Sequence, residues 1–317
     1  MKKLIIFLLI LIALPVVAVM VGYHLYPEKM LAAAIQAERD QAGLTARTVK
    51  VGKYEMHYLE GGPDNPHGSP LVLVHGFNAD KSNWRVIARH LTPHYRVIIP
   101  DLLGFGESSK PLDVPYGYSN QVEYLRAFLQ ALGVDFVHLA GNSMGGGISG
   151  TYAALYPQEV ESVWLLAPAG VRDVGRTNEF VAQLETGNNV LIPKTRDEFR
   201  QIMDWVFVEP PFAPDKFVDI VADQKIANHQ VNTKVFADLA ADPIWLQDVA
   251  DRIQAPTLIL WGDQDRLLDV SAAQVLHQLI PDSKLLIYKN VGHAPMMETP
   301  ARAAKDYLEF RSGLQPG

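Results

Sequence analysis

The stretch Val137-His138-Leu139-Ala140-Gly141-Asn142-Ser143-Met144-Gly145-Gly146-Gly147 is the most informative part of this 317-residue chain. Its mostly apolar start predicts a strand over Val137–Ala140, and the residues after that strand predict a helix over Ser143–Tyr156. Ser143 is therefore expected on a sharp turn between a strand and a helix. The glycines at positions 141 and 145 leave room for the strained backbone of such a turn.

A serine on a turn of this kind is suited to chemistry. Its hydroxyl reacts only when a base can reach it, and the turn exposes that hydroxyl at the edge of the sheet. The start of the helix adds a partial positive charge beside it. The sequence therefore predicts that Ser143 is the nucleophile of an active site.

From residue 47 onward, strands and helices are predicted to alternate. Residues 71–75, LVLVH, form an apolar run that is typical of a strand buried on both faces. Alternation predicts a mostly parallel sheet with helices on both faces, in which ligands bind at the carboxyl ends of the strands. The predicted strands cover residues 48–51, 54–60, 71–75, 95–100, 137–140, 160–166, 257–261 and 284–288.

The segment 172–246 interrupts this alternation with several predicted helices, which cover Phe180–Leu184, Arg196–Val206, Pro214–Ala227 and Val231–Leu239. We interpret it as a helical cap inserted between a first core part, residues 47–171, and a second, residues 247–317. The alternative is a piece of the core with irregular connections. Several apolar side chains of this segment are expected either to line a groove for an apolar substrate or to form the cap's own small core; they are Phe199, Met203, Trp205, Phe207, Phe212 and Phe217.

A serine nucleophile needs an acid and a histidine that follow it in the chain. His293 comes directly after the last predicted strand, where it would take the proton from Ser143 and later pass it to the leaving group. Three aspartates follow the strand at 257–261 and compete for the role of the acid, namely Asp263, Asp265 and Asp269. Asp269 is also expected at the start of a helix over Ser271–Leu279.

Acyl transfer also needs backbone N–H groups that stabilise an oxyanion. One such donor is expected from Met144, the residue after the nucleophile, and the other from Phe77 in the loop after the third strand. His75 in that loop is interpreted as a residue that shapes the loop rather than as a base. The glycines of the loop at 101–108 lack the lysine and the spacing of a phosphate-binding loop.

The N-terminal residues, 1–46, form a segment separate from the predicted core. The run from Leu4 to Val21 carries no charge and is close to the length that spans a bilayer, so residues 1–22 are predicted to be a membrane anchor. A cleaved signal peptide is the alternative. Lys2 and Lys3 favour an orientation with the rest of the chain on the extracytoplasmic, periplasmic side. Residues 23–46 are expected to form a linker or an interfacial helix.

Composition excludes several classes of function. The formal net charge of −7 and the lack of a basic run argue against binding to nucleic acid. The chain has no cysteine, which excludes disulfides, thiolate nucleophiles and cysteine-ligated zinc. No metal-binding motif and no cofactor are expected.

Five motifs in this order resemble the α/β-hydrolase superfamily, over about residues 47–312. The resemblance implies that Asp265 is the acid, that Phe77 and Met144 are the oxyanion donors, and that residues 172–246 are the cap. The motifs are His75-Gly76-Phe77, Asp101 with Gly104-Phe105-Gly106-Glu107-Ser108, Gly141-Asn142-Ser143-Met144-Gly145-Gly146, Trp261-Gly262 with Asp265, and Gly292-His293.

Within that superfamily the chain is most similar to membrane-anchored monoacylglycerol lipases and related bacterial lipases. The similarity rests on Ala167–Val171, Glu179-Phe180, Leu191-Ile192-Pro193 and Leu268–Ser271. It implies a carboxylic-ester hydrolase that acts on monoacylglycerols or similar lipid esters without a cofactor. Two alternatives stay open, a hydrolase of carbon–carbon bonds in ring-cleavage products and a ligand-binding member of the fold without catalysis. The first is disfavoured by Phe77 in the oxyanion loop and Ala294 after the histidine.

Overall fold

A computed structural model describes residues 19–63, 68–172, 174 and 179–314. Its centre is one eight-stranded sheet with the spatial order β1-β2-β4-β3-β5-β6-β7-β8. The strands are β1 (Leu44–Val51), β2 (Tyr54–Gly61), β3 (Leu71–Val74), β4 (Val97–Pro100), β5 (Val137–Asn142), β6 (Val160–Leu166), β7 (Thr257–Gly262) and β8 (Ser283–Tyr288).

The sheet is mostly parallel, as predicted. β1 and β2 form an antiparallel hairpin, and β2 also runs antiparallel to β4. The remaining neighbours pair in parallel from β4 through β8. The carboxyl ends of β3, β5, β7 and β8 therefore meet at one edge of the sheet, where the sequence places the candidate chemistry.

Helices cover both faces of this sheet. The α-helices with bounds in the described chain are α1 (Pro27–Gln41), α2 (Arg85–Leu91), α3 (Tyr118–Ala131), α4 (Met144–Leu155), α5 (Glu179–Glu185), α6 (Arg196–Val206), α7 (Asp215–Ala227), α8 (His229–Ala241), α9 (Leu246–Val249), α10 (Ser271–Leu279), α11 (Pro295–Glu298) and α12 (Pro300–Ser312).

The side chains of β3 show how two cores form. Val72 and Val74 belong to a core that also holds apolar residues of α3, α4 and α10. Leu71 and Leu73 belong to a second core that includes residues of α2 and α12. Successive side chains of a strand point to opposite faces, so a strand with no polar residue can contribute to both cores at once. Burial on both faces therefore explains the uninterrupted apolar run at residues 71–74.

The helices α5 to α8 lie in the chain between β6 and β7, close to the helices predicted for that segment. The helix predicted over Arg196–Val206 has those bounds, and Thr195 caps it by accepting a hydrogen bond from the N–H of Glu198 at 3.2 Å. The extent of the cap as a domain, residues 172–246, stays a prediction.

The core starts earlier than predicted. β1 begins at Leu44, inside the segment 23–46 that the sequence assigned to a linker. Gly43 has a φ of +61°, which ends the preceding helix α1, and Leu44 is buried and pairs with Gly61 of β2. Because Leu44 contributes apolar burial to the sheet edge, β1 begins three residues ahead of the predicted start of the core at residue 47 and four ahead of the predicted strand at 48–51.

The N-terminal part of the chain contacts the core. Residues 19–25 are helical and are followed by α1, whose Glu38 forms an ion pair with Arg85 at 2.8 Å. In the chain that the structure describes, no helix is long and apolar enough to cross a membrane. Residues 1–18, which hold most of the predicted anchor, lie outside the described residues.

His138 of β5 makes the stability of this sheet depend on pH. Its Nδ1 lies 3.1 Å from Ser162 Oγ, and its Nε2 lies 3.1 Å from Arg311 Nη2 and 3.2 Å from the half-exposed carboxylate of Glu161. Burial, and then the charge of Arg311, lower the pKa of His138 to about 3. The unfolded chain binds this proton near the usual histidine value of about 6.5, so acid favours unfolding.

We expect the free energy of unfolding to fall as the pH drops from about 6.5 toward 3. His138 contributes up to about 1.4 kcal/mol per pH unit to that slope, which corresponds to one proton. In His138→Gln the slope should be shallower by that amount, as measured by urea unfolding at several pH values. The exposed His94→Gln is the control for the removal of one histidine. Equal slopes in wild type and His138→Gln would contradict this account.

Candidate active site

Ser143 occupies a strained turn between β5 and α4. Its φ of 57° and ψ of −123° lie in a region that side chains other than glycine rarely adopt. Three backbone hydrogen bonds hold it there. Its N–H donates to Leu166 O at 3.0 Å, and its carbonyl accepts from the N–H groups of Gly147 and Ala169 at 3.0 and 2.9 Å.

The glycines on either side of Ser143 are required by close packing. A Cβ at Gly145 would lie 2.2 Å from Val74 O, and one at Gly141 would lie 2.1 Å from Gly145 O. Neither contact is compatible with a side chain. The helix therefore starts directly against the end of β3, which brings the turn at Ser143 next to the loop that follows β3.

His293 and Asp265 form a buried pair at the ends of β8 and β7. His293 Nδ1 lies 2.7 Å from Asp265 Oδ2, and the two side chains are 5% and 0% exposed. The Asp265 carboxylate also accepts hydrogen bonds from Trp261 Nε1 and from the N–H groups of Leu267 and Leu268, at 2.9 to 3.0 Å. An ionised Asp265 places the imidazole proton on Nδ1 and leaves Nε2 for a serine hydroxyl.

The two competing aspartates have other partners. Asp263 Oδ1 accepts the N–H of Asn290 at 2.7 Å and so joins the loops after β7 and β8. Asp269 Oδ1 accepts the N–H of Ser271 at 2.9 Å at the start of α10, as the sequence predicted. Of the three, Asp265 is the one that the structure pairs with His293.

Asn142 links the serine turn to the histidine loop. Its Nδ2 donates to His293 O and to Leu166 O, each at 3.0 Å. This role was not predicted from the sequence, because Asn142 stands at a variable position of the motif and its partner His293 is 151 residues away. Through this contact Ser143 and His293 are held at the same edge of the sheet.

The loop after β3 reaches the same place. A Cβ at Gly76 would lie 3.2 Å from Ser143 Cβ, so the backbone at Gly76 and Phe77 borders the serine. Met144 is the first residue of α4, so its N–H has no helical carbonyl to bind. The N–H groups of Phe77 and Met144 remain our candidates for oxyanion donors.

His75 shapes this loop, as the sequence predicted. Its Nδ1 lies 2.8 Å from Gly76 O, and its Nε2 accepts the N–H of Leu102 at 3.1 Å. Burial lowers the pKa of His75, which keeps the ring neutral. A neutral ring with its proton on Nδ1 satisfies both contacts, so His75 fixes the backbone ahead of Phe77.

Residues of the cap segment also contact the loop that follows β3. Asn78 has a φ of 53°; its Oδ1 accepts from Asn232 Nδ2 at 2.8 Å, and its Nδ2 donates to Leu191 O at 2.9 Å. Lys225 Nζ lies 3.0 Å from Asp80 Oδ2. Burial opposes ionisation of Asp80, but Lys225 and the N–H of Ser82 more than compensate and hold the pKa of Asp80 below its usual value. These contacts were not predicted from the sequence.

The cap segment also contacts the histidine loop. The N–H of His293 donates to Val206 O, at the end of α6, at 2.8 Å. Glu298 accepts the N–H groups of Gly292 and Val208 at 2.9 and 3.0 Å, and so bridges the two segments. Burial raises the pKa of Glu298 above its usual value. Both the proposed base and the proposed oxyanion loop are thus tied to the helices between β6 and β7.

Residues 69–300 match the α/β hydrolase fold family. The chain belongs to this family. The predicted resemblance and the predicted fold class are both confirmed by this match and by the parallel sheet.

Three similar proteins narrow the comparison of this α/β hydrolase. Lipase 1 of Psychrobacter immobilis is 37% identical over 285 residues, which cover 89% of this chain and 88% of that protein. Monoacylglycerol lipase ABHD6 of Rattus norvegicus is 29% identical over 96% of this chain and 93% of its own length. The crystal structure of a bacterial membrane phospholipase A, described as a virulence factor, superimposes with a TM-score of 0.88 at 41% identity over 99% of both chains.

Substitution of Asn232 tests whether the cap segment positions the loop at Phe77. In Asn232→Leu the Oδ1 of Asn78 loses its donor, so the loop is held less firmly and the oxyanion donor is displaced. We expect kcat for a short p-nitrophenyl ester to fall about tenfold with KM within about threefold, since small displacements at a reacting centre lower the rate steeply.

The matched control is Thr233→Ala on the exposed side of the same helix, where the hydroxyl donates to His229 O. Thr233→Ala should leave both constants near wild type. If kcat is unchanged in Asn232→Leu, or if both variants lose activity equally, the contact does not position the loop.

Proposed function

We propose that this α/β hydrolase cleaves carboxylic esters of lipids, such as monoacylglycerols, through an acyl-enzyme on Ser143. The observation that carries the proposal is the buried pair of His293 Nδ1 and Asp265 Oδ2 at 2.7 Å, which the hydrogen bond from Asn142 to His293 O joins to the strained turn at Ser143. Lipases and monoacylglycerol lipases among the relatives support the lipid ester as the substrate class.

The reaction has two halves. Ser143 Oγ attacks the ester carbonyl while His293 Nε2 accepts its proton, and the N–H groups of Phe77 and Met144 bind the oxyanion. The intermediate collapses as His293 returns the proton to the leaving alcohol, which forms the acyl-enzyme. Water then attacks the acyl carbon by the same route, and the free acid leaves with Ser143 restored. Asp265 orients the imidazole and stabilises its charged form.

Ester cleavage is favoured over cleavage of carbon–carbon bonds by the surroundings of Phe77. Its ring lies edge-on to Phe105 at 6.0 Å and to Phe236 of α8 at 5.4 Å between centroids. An uncharged aromatic surface beside the proposed oxyanion donor suits an acyl chain better than a charged dienoate.

Substitutions of the triad test the chemistry. Ser143→Ala should abolish hydrolysis of p-nitrophenyl esters and of monoacylglycerols. Asp265→Asn should lower kcat by about 10³–10⁴, because the imidazole then loses its tautomer control and the charge that stabilises it. Both rates are measured with purified full-length protein, beside a ring-cleavage dienoate that should not react.

Asp263→Asn is the matched control two residues away. It should retain most of the activity, since Asp263 accepts the N–H of Asn290 and an asparagine oxygen can accept the same hydrogen bond. A larger loss in Asp263→Asn than in Asp265→Asn would reassign the acid, and activity in Ser143→Ala would reject the nucleophile.

We also propose that residues 1–22 anchor the protein in a membrane, with the hydrolase domain on the extracytoplasmic side. The support is the uncharged run from Leu4 to Val21, preceded by Lys2 and Lys3. The solved relative described as a membrane phospholipase also favours association with a membrane.

Deletion of residues 1–22 tests the anchor. The shortened protein should move from the membrane to the soluble fraction after cell lysis, because the apolar run is gone. Its hydrolysis of a water-soluble ester should stay within about twofold of the full chain. A deletion protein that sediments with the membranes would show either that the anchor is wrong or that the cap segment itself binds lipid.

A further inference from the structure

The segment between α6 and α7 exposes apolar side chains to solvent. Phe212 is 94% exposed and Val208 is 43% exposed. From the sequence, Phe212 was expected either in a groove or in the cap's own core, and this expectation was wrong because the loop carries the ring outward. We call the segment 207–214, with these two side chains, the cap tip. Single exposed apolar residues are common, so a function needs more than Phe212 alone.

A second exposed apolar set lies beside the cap tip. In the described chain, seven of the eleven large apolar side chains that are exposed belong either to residues 19–26 or to the cap tip. The five from the N-terminal set are Val19, Met20, Val21, Leu25 and Tyr26.

Direct contacts tie the two sets together. The ring of Tyr23 lies edge-on to Phe217 of α7 at 5.7 Å, and its hydroxyl accepts the N–H of Lys216 at 3.2 Å. Lys216 Nζ donates to His24 O at 3.1 Å. Because Lys216 follows Phe212 by four residues, the chain keeps the two within about 14 Å. The N-terminal set and Phe212 therefore lie near one another at the start of α7.

We propose that the cap tip and residues 19–26 together form a docking surface for a lipid bilayer. The apolar run of the sequence ends at Val21, within this surface, so the proposed anchor would leave the bilayer at this point. Lys29 and Lys216 lie over the rings of Tyr26 and Tyr23, each 5.4 Å from the centroid. Tyrosine and lysine side chains of this kind suit the headgroup layer.

The backbone of the cap tip is restrained by prolines and by hydrogen bonds at its base. Pro210, Pro211 and Pro214 restrict its backbone, so little conformational entropy is lost when it docks. Its base is fixed by the hydrogen bonds from His293 N to Val206 O and from Val208 N to Glu298. The surface is therefore joined directly to the histidine loop. A docked cap tip brings the proposed active site to the bilayer, where a lipid ester would reach it.

The absence of cysteine from the chain makes a direct test simple. Full-length Phe212→Cys is labelled with a nitroxide and reconstituted into vesicles of phosphatidylcholine and phosphatidylglycerol. The control is Phe136→Cys, a 55% exposed phenylalanine just before β5, at the opposite end of the sheet from the proposed site. The label at 212 should collide with lipid-dissolved oxygen at least about threefold more, relative to a water-soluble nickel chelate, than the label at 136.

Two results overturn the proposal. Equal access of the nickel chelate to both labels would show that the cap tip faces water. A label at 212 shielded from both oxygen and nickel would show that a second copy of the chain covers this surface instead of lipid.

A second measurement concerns the reaction, and it rests on the proposed function. Phe212→Asp should hydrolyse monoacylglycerol in vesicles about tenfold more slowly than wild type, because a charge replaces a ring that docking would bury. Hydrolysis of a soluble p-nitrophenyl ester should stay within about twofold, and Phe136→Asp should change neither rate. Full activity of Phe212→Asp on vesicles, or equal loss on both substrates, overturns the proposal. If wild type hydrolyses neither ester, the proposed function fails while the label measurement still decides the docking.

Discussion

The left-handed backbone of Ser143 is the constraint on which the rest of the site depends. Such a conformation costs on the order of 1–3 kcal/mol and persists only when the surrounding structure enforces it. Here the hydrogen bonds to Leu166, Gly147 and Ala169 enforce it, and the two flanking glycines let β3 and α4 approach closely enough to form them. This backbone places the Ser143 hydroxyl at the carboxyl edge of the sheet. There Asn142 joins the turn to the histidine loop, and the backbone at Gly76 borders the serine.

The other parts of the site depend on that placement. Because β3, β5, β7 and β8 end at one edge, their loops need only short side chains to connect. Asn142 reaches the histidine loop, Asp265 reaches the imidazole, and His75 braces the loop before Phe77. The buried Asp265 carboxylate accepts hydrogen bonds from the imidazole, from Trp261 and from two backbone N–H groups, so it is not left without partners.

The sequence predicted the features that depend on neighbours along the chain. The Gly-x-Ser-x-Gly pattern and the apolar run of β3 are local signals, so the turn, the sheet and the order of the site residues could be predicted. The pairing of Asn78 with Asn232 could not, because those residues are 154 positions apart and neither belongs to a motif. Leu44 was missed since the strand starts directly after a helix, where composition changes little. The exposure of Phe212 was not predicted, because an apolar side chain in a loop can point either toward the protein or toward solvent.

The choice of acid shows the same limit on a smaller scale. Asp263 and Asp265 stand two residues apart after the same strand, and only the family resemblance distinguished them in the sequence. In the structure the geometry separates them, because one carboxylate turns toward a backbone N–H of the next loop and the other toward the imidazole.

The attachment of the helices between β6 and β7 to both the loop at Phe77 and the loop at His293 has a consequence for the architecture of the enzyme. We expect that removal of those helices would not leave a smaller active core. Without them, the N–H of His293 would lose its acceptor Val206 O, and Asn78 would lose the donor Asn232. The loops of the proposed base and the proposed oxyanion donor would then be held less firmly. The parallel sheet carries the proposed nucleophile, and the helices between β6 and β7 hold the loops of the proposed base and the proposed oxyanion donor. We therefore expect changes in these helices that alter substrate choice to alter turnover as well.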